Sequence, residues 1–216
     1  MEIESSVSGN SSINVELNVG GRNGTNIDLS DGERLEVSVG GETITLNRDT
    51  DFGDIDYEGT VNTSSSADPF RISLFRADGS VINNSIVSLP DEFIITSPNS
   101  GQTFSVNETL PIRWTPARSG VNIELIITTS CVTTSGGTPL SADFFMISDD
   151  GAEDFRLNQI GAGNGSIANL DTSRDCELSI DLERIENGQL DPRFEEGGEI
   201  TARQLREVEN LTLRLR

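Results

Sequence analysis

Apolar and polar residues alternate along most of this chain, in short runs broken by Gly, Asp, Asn and Pro. In 13–19, INVELNV, the residues Ile13, Val15, Leu17 and Val19 alternate with polar neighbours. Side chains on an extended strand point to opposite faces in turn, so this spacing predicts a strand with one buried face. Segment 26–48 reads as three further short strands, with turns at Ser30–Gly32 and Gly40–Gly41. Paired glycines accept positive φ, which a tight hairpin requires. Runs at 56–62, 70–76 and 84–90 follow, and Phe70, Ile72, Leu74 and Arg76 share one face of the second. Pro90 stops the last run, because it has no N–H to give to a ladder.

A second series begins at once, at 92–98, 103–106, 110–116, 121–133, 142–148, 153–160, 176–184 and 211–216, with a hairpin turn at Asp149–Gly151. Segment 197–209 fits helical spacing through Ala202, Leu205 and Val208, and it also fits a bent strand, which the alternation favours. Turn-punctuated strands recurring every 8–12 residues or so are the spacing of sandwiches. The pattern therefore predicts an all-β chain: a flexible tether over 1–12, then two immunoglobulin-like β-sandwich domains in tandem, 13–90 and 91–216, with a very short junction.

Composition sharpens this picture. The 216 residues are only 34% hydrophobic, so the cores are expected to be thin. Thirty-six acidic residues face 15 basic ones, for a net charge of −21, and every basic residue is Arg. A field of that sign repels phosphate backbones, which argues against a nucleic-acid partner, and it repels anionic membrane surfaces. No apolar run approaches the ~18 residues of a membrane-spanning helix, so this segment is not expected to insert in a membrane. The chain has no His and no Lys. Triads based on His, Schiff-base chemistry and His/Cys zinc sites therefore cannot be assembled, and a carboxylate pair is the catalytic device that remains. No spacing singles out one pair among the 36 acids, so the chain is read as non-enzymatic, with no cofactor implied.

Cys131 and Cys176 lie 45 positions apart in strand-like contexts. An even count suggests one disulfide and an oxidising compartment, against the reading of two buried thiols. The Ser/Asn-rich opening reads like the tether that follows a cleaved signal or a lipid anchor, which places the chain in the periplasm, on an outer membrane or outside the cell.

The stretch 97–116, SPNSGQTFSVNETLPIRWTP, holds the single Trp. Pro98, Gly101, Phe104, Leu110, Ile112 and Trp114 make a pattern that resembles the start of Kre9/Knh1-type immunoglobulin-like surface modules, over about residues 92–160. More loosely, the chain resembles exported bacterial lipoproteins. These resemblances imply export and a binding or structural role, and they supply no active site. Independently of them, Trp114 is in phase with Leu110 and Ile112, so it is expected in the core rather than at a sugar-stacking surface.

Two acidic loops are candidate sites. Asp49, Asp51, Asp54 and Asp56 surround Gly53 and form an oxygen-rich cluster of the kind Ca²⁺ takes, although the spacing is not that of an EF-hand. Asp149, Asp150, Glu153 and Asp154 form the second. The plain alternative for both is a solvated acidic turn. GAGNGS at 161–166 lacks the strand-to-helix context of a phosphate loop and reads as a connecting loop. The expected function is a non-catalytic binding module at the cell envelope, or secreted, with a protein or a glycan as partner. A structural spacer stiffened by Ca²⁺ and a carboxylate glycoside hydrolase are the alternatives.

Overall fold

Strands follow the alternation closely. The computed structural model describes residues 1–6, 9–21, 24–51, 53–160, 169–194 and 198–216, and among these it forms 18 strands and one short 3₁₀ turn, Leu157–Gln159. The GAGNGS segment lies outside the described residues. The protein is all-β, and the chain divides into two compact units, Met1–Glu92 with Ile185–Gln204, and Phe93–Arg184 with Leu205–Arg216.

The first unit carries β1 (Glu2–Ser5), β2 (Ser11–Glu16), β3 (Asn18–Val19), β4 (Thr25–Asn26), β5 (Arg34–Val39), β6 (Glu42–Thr45), β7 (Asn47–Asp51), β8 (Asp54–Val61), β9 (Phe70–Phe75) and β10 (Val81–Val87). One sheet runs β1-β2-β8-β7 and the other β10-β9-β5-β6. Ile3, Ile13, Val15 and Tyr57 of the first sheet meet Leu35, Val37, Phe70, Ile72 and Leu74 of the second in one core. Two antiparallel sheets sharing inward faces make this unit a β-sandwich. On the outward face of the first sheet, Glu16 stands opposite Asp56 and Asn14 opposite Glu58.

The second unit carries β11 (Ile94–Ser97), β12 (Thr103–Ser105), β13 (Thr109–Thr115), β14 (Asn122–Ser130), β15 (Leu140–Ser148), β16 (Ala152–Arg156), and most of β17 (Cys176–Asn187) and of β18 (Thr201–Arg214). Its sheets are β15-β14-β17-β18, with β12 also on β18, and β11-β13-β16. Leu110, Ile112 and Trp114 pack against Ile123, Leu125, Ile127, Leu178, Ile180 and Leu182 in one core. Pro111 is tolerated inside β13 because the pairing with β11 begins only at Arg113. Cys131 and Cys176 are joined in a disulfide between the end of β14 and the start of β17.

Three expectations differ from this architecture. Residues 2–5, assigned to a tether over 1–12, form β1, paired to β2 on one side and in parallel to Thr201–Gln204 on the other. Ile3 is fully buried while Glu2 and Glu4 face out, so the alternation was present but too short to read. Second, residues 185–204, assigned to the sandwich 91–216, pack with the first unit. Ile200 and Ala202 join its core, and Gln189 exchanges backbone hydrogen bonds with Ile86, each N–O distance 2.8 Å. Gly188 fits there because it lacks a side chain: a Cβ would lie 2.4 Å from the Ile86 carbonyl oxygen. Third, 197–209 and 211–216, read as separate segments, are one strand from 201 to 214, which absorbs Asn210 at a positive φ of 59°.

Candidate functional site

In the first unit a cavity of about 580 Å³ is lined from both sheets and from the segment 190–199. One wall comes from the end of β2 and the turn after it. Leu17 accepts a backbone hydrogen bond from Ile27 at 2.8 Å, which folds the 17–27 excursion back on itself. Gly20 and Gly21 make its bend at φ of 82° and 101°, where a side chain would be strained. Tyr57 fixes the far end: its hydroxyl accepts from the Leu29 N–H at 2.7 Å and donates to the Ile27 carbonyl at 3.3 Å. Glu16 Oε1 accepts from the amides of Asn18 at 2.8 Å and Asn26 at 2.9 Å, so this rim is a pre-arranged network of carboxylate and amide groups.

The opposite wall holds Leu190, Arg193 and Phe194, locked in place through Asp191. Asp191 is fully buried and accepts from the Asn84 N–H at 2.9 Å and from Arg193 at its backbone N–H (3.0 Å), Nε (3.0 Å) and Nη2 (2.7 Å). Its own N–H donates to Ser85 Oγ at 3.1 Å, and Arg193 Nη1 donates to the Val81 carbonyl at 2.6 Å. The Arg193 hydrogen bonds hold the Asp191 carboxyl well below the usual carboxylate range, against the opposing effect of burial. Arg76, also on the cavity, is 2.6 Å from Glu33. Both of these arginines are thus already paired with carboxylates. Leu17, Ile27, Leu29, Leu74 and Ile82 complete an apolar floor.

The sequence names Leu17, Leu74 and Arg76 only as in-phase strand positions, and it marks none of these groups as a site. Leu190–Phe194 comes from a segment more than 100 positions from β10, and apolar residues on turns have no period. The one trace is Asp191-Pro192-Arg193, where the Asp side chain caps the N–H two residues on, as turn-forming aspartates do.

The sequence candidates fall elsewhere. Asp49 and Asp51 lie on β7 and Asp54 and Asp56 on β8, joined through Gly53, with Asp49 opposite Asp56 and Asp51 opposite Asp54. The four positions occupy two rungs of the hairpin, separated by the Thr50–Ile55 rung. Among the described residues, no group of three or more His, Cys, Asp or Glu is arranged to hold a metal ion. Asp56 is instead a crowded carboxylate, raised first by burial and then by the charges of Asp54, Glu16 and Glu58. On the second unit, Asp181 is raised to about 6 by burial and by the charges of Glu207 and Glu209.

The second acidic loop contains an internal strut. Asp149 is buried, and its Oδ1 accepts from the Trp114 indole N–H at 2.7 Å. Arg184, also buried, donates through Nε to Oδ2 at 2.7 Å and through Nη2 to Oδ1 at 2.9 Å. The same Nη2 donates to the Pro116 carbonyl, and the guanidinium carbon lies 4.6 Å from the centre of the Phe93 ring. Trp114 is therefore a core residue with its one polar atom satisfied, and Asp149 belongs to that core rather than to a surface loop.

No protein-family model matches the chain, and no curated protein matches it. Among solved structures, similarity is found to the fibronectin(III)-like modules of Clostridium thermocellum CbhA, at 13% identity over 99% of this chain and 88% of that one, with a TM-score of 0.24. The Bacteroides ovatus mixed-linkage glucan utilization locus protein SGBP-B, in complex with a mixed-linkage heptasaccharide, matches at 13% identity over 100% of this chain and 48% of that one, TM-score 0.26. The calcium binding domain CBD12 of CALX1.1 matches at 12% identity over 100% and 97%, TM-score 0.25. At these scores what those proteins bind does not transfer to this chain.

Proposed function

We propose that this protein is a non-catalytic binding module of an extracytoplasmic compartment, and that its first unit holds a short neutral glycan in the cavity between β2 and the 190–199 segment. The observation that carries this reading is the two-sided chemistry of that cavity. Asn14, Glu16, Asn18 and Thr201 line it with hydrogen-bonding groups, while Leu190, Phe194 and the Leu17–Leu29 floor offer apolar surface. Sugars present the same division, with polar edges and apolar ring faces, and the volume falls in the usual range of roughly 300–1,000 Å³ for ligand sites. Arg76 and Arg193 are each held by a carboxylate, which leaves the site suited to a neutral ligand rather than an anion. The disulfide supports an oxidising compartment.

Isothermal titration of the whole chain against a panel of neutral oligosaccharides tests the reading. Binding by one class is expected, weakened at least about tenfold by Phe194→Ala, a loss of ~1.4 kcal/mol. No heat with any member of the panel, or binding indifferent to Phe194→Ala and to Asn18→Ala, would sink it.

A further inference from the structure

We infer that β15 is a self-association edge, through which two copies of this chain pair strand to strand. The observations are independent of the cavity. Strand β15 ends the strand order of its sheet, and among the described residues it pairs only with β14. Among the described residues, this nine-residue strand has a ladder on one side, toward β14, and its other side is a sheet edge of the kind that templates pairing. Its solvent face is apolar where a surface strand is normally polar. Leu140 is 74% exposed, Phe144 64% and Met146 63%, and Ile126 of β14 stands opposite Phe144 on the same face. Natural sheets blunt such edges with Pro or with outward charges; β15 has no Pro and no Arg, and its single charge, Asp143, lies on the other face from Phe144.

The same features select a second copy as the occupant. Two chains of −21 repel, so close approach requires a strip nearly free of charge, and one charge in nine residues makes β15 such a strip. The sequence is also self-complementary. A two-fold rotation centred on Phe145 places Phe144 opposite Met146 of the second copy and Met146 opposite its Phe144, giving two sulfur–aromatic pairs. Phe145 then meets Phe145, Ala142 meets Ser148, and Asp143 faces Ile147, so no rung sets like charges together. Such a pairing is closed and isologous, and it joins the β15-β14 sheets of two copies into one.

Charge supplies a signature for the test. Sedimentation velocity of the whole chain over a concentration series is compared between about 0.1 M and about 1 M NaCl, which shortens the screening length from ~10 Å to ~3 Å. The expected result is a monomer–dimer equilibrium that tightens at least about tenfold at high salt, the reverse of an interface built on ion pairs. Phe144→Glu places two like charges near the centre and should return the protein to monomer, and Met146→Glu should do the same. Both positions are exposed, so the far-ultraviolet spectrum of each variant should match that of the parent, and the melting midpoints should match at concentrations where the parent is monomeric. A monomer at every concentration, a dimer unchanged in both variants, association weakened by salt, or growth past the dimer would each overturn the inference.

Discussion

Each unit contains an Asp–Arg pair with a fully buried carboxylate, and the two pairs do different work because of where the arginine lies. In the second unit, Arg184 is 1% exposed beside Asp149 at 0%, with Trp114 and Phe93 around them. In the first unit, Asp191 is 0% exposed but Arg193 is 47% exposed. A cation with no access to water depends wholly on its partner, whereas one at the rim can re-solvate if the partner is lost. The inner pair is therefore part of the core, and the outer pair is a latch that positions one wall of the cavity.

The largest effect expected from this contrast is on Asp149. Asp149→Ala strands the Arg184 guanidinium and the Trp114 indole N–H in the core, and should destabilise the protein by about 3–5 kcal/mol in denaturant unfolding. Asp191→Ala leaves the Asn84 N–H unsatisfied but frees Arg193 to solvent, and should cost about 1–3 kcal/mol while loosening the cavity wall that the proposed glycan reading relies on. Equal stability losses in the two variants would break the comparison.

Reduction of Cys131–Cys176 comes next, at about 2–4 kcal/mol, with trypsin or glutamyl endopeptidase cleavage expected to rise first in 122–184. Cleavage rising first in 1–92 would contradict that placement.

The pH response should differ in sign between Asp191 and Asp181. Asp191 has a depressed folded-state pKa, so its stabilisation is present above the ordinary carboxylate range and is lost as pH falls below it. Asp181 is raised to about 6, so the folded state binds the extra proton between about 4 and about 6. Its contribution therefore falls as pH rises through that window. Asp181→Asn should raise the melting midpoint slightly at neutral pH and remove the dependence in that window, whereas a midpoint that rises with pH in the parent over the same window would reverse the sign. The smallest expected effect is that of Ca²⁺. With no group of three or more acidic residues arranged around a centre among the described residues, millimolar Ca²⁺ should leave the midpoint where NaCl of matched ionic strength leaves it. A shift of several degrees would support the metal reading of Asp49, Asp51, Asp54 and Asp56.

Most strands were legible because period-two alternation is local. Phe70, Ile72 and Leu74 announce β9, and Leu110, Ile112 and Trp114 announce β13, without reference to anything distant. The short strand at 2–5 escaped because four residues give too few repeats to stand out from a Ser-rich surrounding. The cavity was illegible for a different reason. Its walls join the end of β2 to residues some 170–180 positions later, and neither Phe194 nor Leu190 belongs to a periodic run. Asp149 was misread because an Asp-Asp-Gly turn looks the same in sequence whether its first carboxylate meets water or an arginine.

By itself, then, the sequence determined the all-β class, the sites of the turns, the in-phase burial of Trp114 and the acidic character of the surface, since each depends on neighbours within a few residues. Tertiary structure decided that 185–204 returns to the first unit, that Asp149 and Arg184 share a core, that Asp191 latches the cavity wall, and that β15 ends its sheet with Phe144 and Met146 in the open. Those outcomes depend on which strands pair across long loops, and pairing is chosen by the burial of whole faces rather than by any local pattern.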